Sequence, residues 1–232
     1  MANAIKKAVF SLVDKAFTQE GFVLEVRKWE PATMYEIDFH MPETDMAKWN
    51  TIPRIKCRVA EFEYRDYTPA TWDAEKKMCT VLIETEHNGY GSAWAKNLQS
   101  GDVILFAPAH AAPLPAKPGK IFCFGDGSAI GHFLALKQLT DRKNYPLEVV
   151  VFLNETYTIP DTFLTANPEF KFIMQPQGHS LDSLSLVAEK NPLSAYTSVY
   201  IAGYIPMVQG LRKMFKKNQN FSAKLFAYGF WS

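Results

Sequence analysis

The segment EYRDYTP, residues 63–69, ends a strand-like run and is the part of the sequence from which the fold is predicted here. Because side chains alternate between the faces of a strand, Arg65 and Tyr67 are expected to point one way and Thr68 the other. Pro69 has no N–H and favours an extended residue before it, so the strand is predicted to end here. A guanidinium, a phenol and a hydroxyl at a strand end suit a flat ligand that carries a phosphate. An ordinary surface strand with a half-buried tyrosine also explains the segment.

Alternating or continuous apolar runs separated by polar turns fill the chain up to about residue 110. The predicted strands cover residues 22–26, 34–39, 55–64, 78–86 and 101–108. Apolar residues at helical spacing also predict a short amphipathic helix over residues 3–17. Five or six short strands in succession are typical of an antiparallel barrel.

Three prolines in residues 111–119, AAPLPAKPG, mark the predicted domain boundary. Beyond it, strands predicted at 120–124, 147–153, 170–174, 198–203 and 223–228 alternate with helices at 129–138, 181–189 and 206–216. This alternation predicts a parallel sheet covered on both faces, which binds ligands at the carboxyl ends of its strands. We therefore expect a Greek-key barrel over residues 1–110, a linker, and an α/β nucleotide-binding domain over residues 120–232.

Two glycine-containing turns are candidate phosphate sites, because a helix N-terminus and close backbone approach favour anions. The first, residues 87–95, reads HNGYGSAWA, where Ser92 either caps the following helix or donates to a phosphate. The second, residues 125–129, reads GDGSA and joins the first strand and helix of the α/β half. An ordinary strand-to-helix turn explains each of them as well.

The 232 residues carry a formal net charge of +1, which gives no overall attraction to nucleic acid or to an acidic membrane. Three scattered cysteines and five histidines without metal-ligand spacing predict no metal site. The unpaired pattern of the cysteines also fits a reducing compartment. The histidines are expected mostly at the surface or in turns. With no signal peptide and no membrane-spanning run evident, a cytoplasmic protein is predicted. A monomer is also expected.

The order of these features resembles that of the siderophore-interacting proteins, which are FAD-binding ferric-siderophore reductases of the ferredoxin-reductase superfamily. The resemblance runs from about residue 21 to residue 231. The segments that carry it are residues 65–68, 87–95, 101–103, 125–129, 202–203, 211–212 and 229–231.

The resemblance implies that Arg65 binds the flavin diphosphate, that Tyr67 packs along the flavin ring and ribityl chain, and that Thr68 lies near the reactive ring nitrogen. The other residues implied on the FAD side are His87, Gly91, Ser92, Ala93 and Trp94, with Trp231 as an aromatic side chain beside the flavin. The residues implied for NAD(P)H are Gly125, Asp126, Ser128, Gly203 and Tyr204. No acid–base side chain is implied.

The implied function is reduction of a ferric siderophore, with electrons passing from NAD(P)H or a ferredoxin through FAD to Fe(III). Several residues depart from the family pattern: Pro69 and Ala70 after the threonine, Gly127 in the nucleotide turn, and Tyr204 where an acidic residue is common. Two alternatives therefore stay open. One is a flavin- or siderophore-binding protein without electron transfer, and the other is a general flavin reductase with another acceptor.

Overall fold

The computed structural model describes residues 18–31, 33–154, 157–175, 193–217 and 221–232. The helices predicted at residues 3–17 and 181–189 lie outside these ranges. The strands are β1 Gln19–Trp29, β2 Met34–His40, β3 Ile55–Ala60, β4 Glu63–Tyr67, β5 Pro69–Asp73, β6 Met78–Glu84, β7 Val103–Pro108, β8 Ile121–Asp126, β9 Leu147–Asn154, β10 Phe170–Gln175, β11 Ser198–Tyr204 and β12 Lys224–Trp231. The helices are α1 Tyr90–Asn97, α2 Ile130–Leu139, α3 Asp161–Ala166 and α4 Ile205–Lys217.

The first seven strands form an antiparallel sheet in the order β4-β3-β7-β1-β2-β6-β5. Strands β4 and β5 lie at opposite edges of this order, yet a single residue, Thr68, connects them. In a flat sheet these edges would be about 29 Å apart, since neighbouring strands are spaced about 4.8 Å. The sheet must therefore curl until its edges meet at Thr68, and the predicted barrel-type fold is confirmed.

The strand predicted over residues 55–64 is a hairpin, so that prediction was wrong in detail. Strand β3 ends at Ala60 and β4 begins at Glu63, with Ile55 paired to Tyr67. The turn places Phe62 at a positive φ of 65°, a backbone conformation that aromatic residues seldom adopt. No Gly, Asn or Pro signals this turn. Strand β5 was also missed, because Pro69 was expected only to end a strand and here also begins one.

The last five strands form a parallel sheet in the order β10-β9-β8-β11-β12. Strands β8 and β11 are buried almost throughout, as expected for strands with both faces covered. Helix α4 covers one face through a row that includes Leu211 and Phe215. Helix α2 covers the other through residues that include Phe133. The predicted parallel α/β half is confirmed. Among the described residues no helix is long and apolar enough to cross a membrane.

Helix α2 also packs against the barrel and thereby places the end of β4 beside the parallel sheet. Gly131 lies under the break between the barrel edges, where an added Cβ would be 3.3 Å from the Thr68 carbonyl oxygen and 3.6 Å from Ala70. The Gln138 side chain accepts from the Trp72 backbone N–H at 3.1 Å and donates to its carbonyl at 2.9 Å. The strand end predicted to bind a ligand thus faces the first strand-to-helix turn of the α/β half.

Candidate functional site

A cavity of about 600 Å³ lies between the end of β4, the start of α1, helix α2 and the end of β12. It has the size of a small-molecule or cofactor site. The predicted site residues that line it are Arg65, Tyr67, Thr68, His87, Gly91, Ser92, Ser128 and Trp231. Of the remaining predicted residues, Ala93, Trp94, Gly125, Asp126, Gly203 and Tyr204 are not part of the lining.

Tyr67 forms one wall, and its ring is held from behind by Trp94. The two rings stack with centroids 5.6 Å apart and an interplanar angle of 18°. Burial raises the pKa of Tyr67, so its phenol stays neutral and can donate a hydrogen bond. Gly91 lies directly against this hydroxyl, and an added Cβ would be 2.7 Å from the oxygen. A glycine is therefore needed for α1 to approach Tyr67 this closely.

The N-terminus of α1 faces the cavity through Gly89, Gly91 and Ser92. Gly89 is the N-cap, and its carbonyl accepts from the Ala93 N–H at 2.9 Å. Ser92 is the third residue of α1, so the alternative in which Ser92 caps the helix was wrong. The first N–H groups of a helix have no partner within the helix and carry partial positive charge, which suits a phosphate.

Three cationic side chains line the same cavity. Arg65 is exposed and donates to the Glu63 carboxylate at 3.1 Å and to the Tyr64 carbonyl at 2.7 Å. Lys56 is paired with Asp66 at 2.5 Å. Arg54, which the sequence analysis did not single out, packs over the Tyr228 and Phe230 rings, with its guanidinium carbon 5.2 and 5.3 Å from their centroids.

His132 is fully buried in α2 and lines the cavity, so the expectation that the histidines lie mostly at the surface fails here. Its ring packs against Tyr228 and Phe230, with centroids 5.0 and 5.7 Å away. Burial, together with the Arg54 charge, lowers the pKa of His132 to about 3, so the imidazole is neutral. Within the described residues, both its ring nitrogens and Arg54 Nη2 lack hydrogen-bond partners.

Asp126 ends β8 and is fully buried, so its carboxylate binds protein groups instead of opening to the cavity. It accepts from the Ser128 N–H at 3.0 Å, from the Tyr204 N–H at 2.6 Å and from Trp231 Nε1 at 3.2 Å. Gly203 has a φ of +121°, and an added Cβ would collide with the Asp126 carboxylate. Asp126 thus joins the carboxyl ends of β8, β11 and β12.

The aromatic end of the chain folds over the cavity. Trp231 stacks on His87, with ring centroids 4.1 Å apart and an interplanar angle of 20°. Tyr204 also packs on Trp231, and the centroids of these two rings are 4.4 Å apart. Phe230 and Trp231 both line the cavity, and Phe230 also packs against the hydrophobic core.

Glu84, at the end of β6, also lines the cavity and was missed from the sequence. Tyr157 Oη donates to Glu84 Oε1 at 3.0 Å, and an added Cβ on Gly127 would be 2.6 Å from the same oxygen. Burial, together with the neighbouring Asp126 charge, raises the pKa of Glu84 to about 8. The available signal was a carboxylate that ends the apolar run Val81-Leu82-Ile83, whose three residues are all buried.

Comparison with known proteins gives one family match, over residues 28–112, to a siderophore-interacting FAD-binding domain. This match confirms the resemblance predicted from the sequence and the FAD cofactor predicted with it. No curated protein matches the chain.

Solved structures with the same fold include siderophore-interacting proteins and ferredoxin reductases. A siderophore utilization protein from T. fusca has a TM-score of 0.72 at 14% identity, with 92% of each chain covered. The siderophore-interacting protein SipS from Aeromonas hydrophila has a TM-score of 0.72 at 13% identity, with 93% of this chain and 91% of that one covered. Phthalate dioxygenase reductase, described as transferring electrons from pyridine nucleotides to [2Fe-2S], has a TM-score of 0.67 at 13% identity. The match covers 94% of this chain and 68% of that one.

The residues present fit a flavin dinucleotide. Gly91 leaves the space beside the Tyr67 hydroxyl that a Cβ would fill, and the α1 N-terminus and Arg65 provide donors for a diphosphate. The buried, unpartnered Arg54 Nη2 and His132 ring nitrogens call for a polar ligand, since buried polar groups are normally hydrogen-bonded.

Proposed function

We propose that the protein is a flavin-dependent oxidoreductase that reduces ferric siderophores, with electrons from NAD(P)H or a ferredoxin, and that it works as a cytoplasmic monomer. The cavity shared by the β4 end, the α1 N-terminus and the α/β half is the observation that carries this proposal. The position of the cavity, between the two halves of a ferredoxin-reductase-like fold, supports an electron-transfer role.

The proposed roles follow from the contacts of each side chain. Arg65 and the first turn of α1 would bind the diphosphate, Arg65 after exchanging its exposed Glu63 partner for a phosphate. Tyr67, braced by Trp94, would present its ring face and its hydroxyl. Thr68 lies at the meeting point of the barrel edges, where its hydroxyl can contact the ring system. FAD, when bound, would connect a two-electron donor to a one-electron acceptor.

The charge of the lining supports an anionic ligand and acceptor. Lys56 on β3 and Arg65 on β4 lie on neighbouring strands, and Arg54 immediately precedes β3 in the same wall. Cations that line a cavity raise the local concentration of an anion, and the effect falls with added salt. A ferric siderophore that keeps net negative charge, such as a catecholate or carboxylate complex, would be attracted on this basis.

Anaerobic assay of ferric-siderophore reduction tests the proposal. Apo-protein, FAD, NADH or NADPH and a ferric siderophore are mixed with a chelator that reports Fe(II) by colour. We expect Fe(II) to appear faster than with free FAD, and Arg65→Ala to lower the rate at limiting FAD. Arg212→Ala, on the exposed face of α4 and outside the cavity, is the matched control and should behave as wild type. The assay is repeated with a reduced ferredoxin as donor, and a rate equal to that of free FAD with NADH, NADPH and ferredoxin alike would refute the proposal.

A second candidate is a flavin- or siderophore-binding protein that does not use NAD(P)H. It is favoured by the burial of Gly125, Asp126 and Gly203, residues implied for the nicotinamide nucleotide that do not line the cavity. It predicts FAD binding without NADH or NADPH oxidation. A reduced ferredoxin that still delivers electrons would identify the donor and exclude the pure binding role.

A further inference from the structure

Two carboxylic side chains, Glu84 and Asp126, lie near each other at the ends of β6 and β8. Burial and the negative charge of Asp126 both raise the pKa of Glu84. Gly127, next to Asp126, has the Glu84 carboxyl directly against its Cα, since a Cβ there would lie 2.6 Å from Oε1. A side chain at position 127 would displace the Glu84 carboxyl, so the glycine is part of this arrangement.

The hydrogen bonds of the two carboxyl groups are unequal. Asp126 accepts from two backbone N–H groups, from an indole and from the Ser128 hydroxyl. Donors of this kind favour the ionised form of a carboxyl group. Glu84 accepts from Tyr157 at 3.0 Å, and its Oε2 is buried without a hydrogen-bond partner in the described part of the chain. Two neighbouring carboxyl groups with such different surroundings take different protonation states.

The other ionisable groups around Glu84 leave the proton on Glu84 and leave Asp126 ionised. Glu86, two residues further along the chain, adds negative charge that also raises the pKa of Glu84, while the hydrogen bond from Tyr157 and a backbone contact at Ser128 lower it. The cavity lining further contains the titratable or charged groups His87, His132, Arg54, Lys56, Arg65 and Asp66.

We propose that Glu84 is a proton-holding residue of this site: the Glu84–Asp126 pair carries one proton at neutral pH, held on Glu84, and ligand affinity depends on it. The proposal rests on the proposed function in taking FAD as the ligand. A protonated Glu84 leaves its part of the cavity wall uncharged. An ionised Glu84 would put a second negative charge beside Asp126 and next to a ligand that is itself anionic.

The consequence is a binding affinity that falls as the pH rises. Because the neutral acid favours the anionic ligand, FAD binding and proton binding are linked, and each strengthens the other. Above the pKa of Glu84, the dissociation constant of FAD should rise by up to about tenfold per pH unit. FAD binding at pH 8–9 should then be accompanied by uptake of protons from the buffer.

The test measures FAD affinity and proton uptake between pH 6.5 and 9.5 for three proteins. Wild type should lose affinity for FAD with rising pH, and it should take up a fraction of a proton from the buffer for each FAD bound. Glu84→Gln, nearly isosteric and permanently neutral, should bind FAD as tightly as wild type at pH 6.5 and keep that affinity at pH 9.5. Glu75→Gln, in the exposed turn between β5 and β6, is the matched control and should follow wild type.

The outcomes separate this proposal from the proposed function. An equal pH slope in wild type and Glu84→Gln overturns the role of Glu84 while leaving FAD binding in place. Tyr157→Phe, which removes the donor to Oε1, should move the wild-type transition to higher pH, and a shift to lower pH would contradict the assignment. Absence of FAD binding at every pH overturns the proposed function and the ligand linkage together. Carboxyl titration of the apo-protein by NMR still reports whether Glu84 is protonated at pH 7, and an ordinary Glu84 pKa overturns the proposal by itself.

Discussion

Substitution of Gly91 by alanine is expected to weaken FAD binding without destabilising the fold. The added methyl group would lie 2.7 Å from the Tyr67 hydroxyl and 3.4 Å from Arg65 Cγ. To restore an ordinary contact of about 3.4 Å, the hydroxyl has to move by about 0.7 Å, which is enough to break a hydrogen bond to a phosphate or ribityl group. Hydrogen bonds that involve a charged group contribute about 1.5–3 kcal/mol, so the dissociation constant should rise about 10- to 150-fold.

Gly89→Ala is the matched control in the same turn. Gly89 has a φ of 174°, which any residue adopts, and an added Cβ meets nothing within 4 Å. As the N-cap of α1, alanine there should cost about 0.5–1 kcal/mol of stability. Alanine at position 91, inside the helix, should gain up to about 1 kcal/mol from helix propensity, before the cost of moving Tyr67.

The two variants therefore separate a contact effect from a stability effect. Affinity is measured by isothermal titration with FAD at fixed pH, and stability by urea unfolding of the same preparations. We expect Gly91→Ala to be the weaker binder and Gly89→Ala the less stable protein. Equal affinities, or a loss confined to Gly89→Ala, would refute the placement of the ligand between Tyr67 and α1.

Three further predictions follow from single contacts. Arg65→Ala should weaken FAD binding by about 1.5–3 kcal/mol in calorimetry and leave the urea midpoint nearly unchanged, because the side chain is exposed and its ion pair with Glu63 is a surface one. The folded-state pKa of Glu84 is raised from its ordinary 4.5 to about 8, so between these pH values the native state binds a proton that the unfolded state has released. The free energy of unfolding therefore falls as the pH rises from 4.5 to about 8. Urea unfolding at pH 5 and pH 9 should show a smaller loss for Glu84→Gln than for wild type. Gly203→Ala should destabilise the protein more than Gly101→Ala does. Both glycines have a positive φ, but only a Cβ at position 203 collides with Asp126, whereas position 101 has open space. Equal urea midpoints for the two variants would contradict this.

Much of the fold was predictable because its signals are local. Continuous apolar runs indicated β8, β9 and β11, and strict alternation indicated β2, since burial on one or both faces of a strand determines which residues it can contain. A helix was expected to follow the glycine-containing turn at residues 87–95, and it occupies Tyr90–Asn97. The missed elements, β5 and α3, have only five and six residues and no distinct periodicity.

The site was predictable only in part, because a cavity joins segments that are far apart in the sequence. Arg65, Tyr67 and Thr68 are close in the sequence, and their residue types at a strand end suited a ligand, although an ordinary surface strand explained them as well. Arg54 and Glu84 contribute through their positions in the assembled fold, which a single sequence does not show. The prediction that Asp126 contacts a nucleotide stays untested, and its present partners are protein groups.

Equilibrium titration of the purified apo-protein with FAD, followed by its visible absorption spectrum, tests the central claim most directly. We expect a yellow complex with one FAD per chain, with flavin bands altered from those of free FAD, and with affinity reduced in Arg65→Ala and Gly91→Ala. A colourless protein that leaves the spectrum of added FAD unchanged, or a complex whose affinity neither variant alters, would contradict the assignment of this cavity as the flavin site.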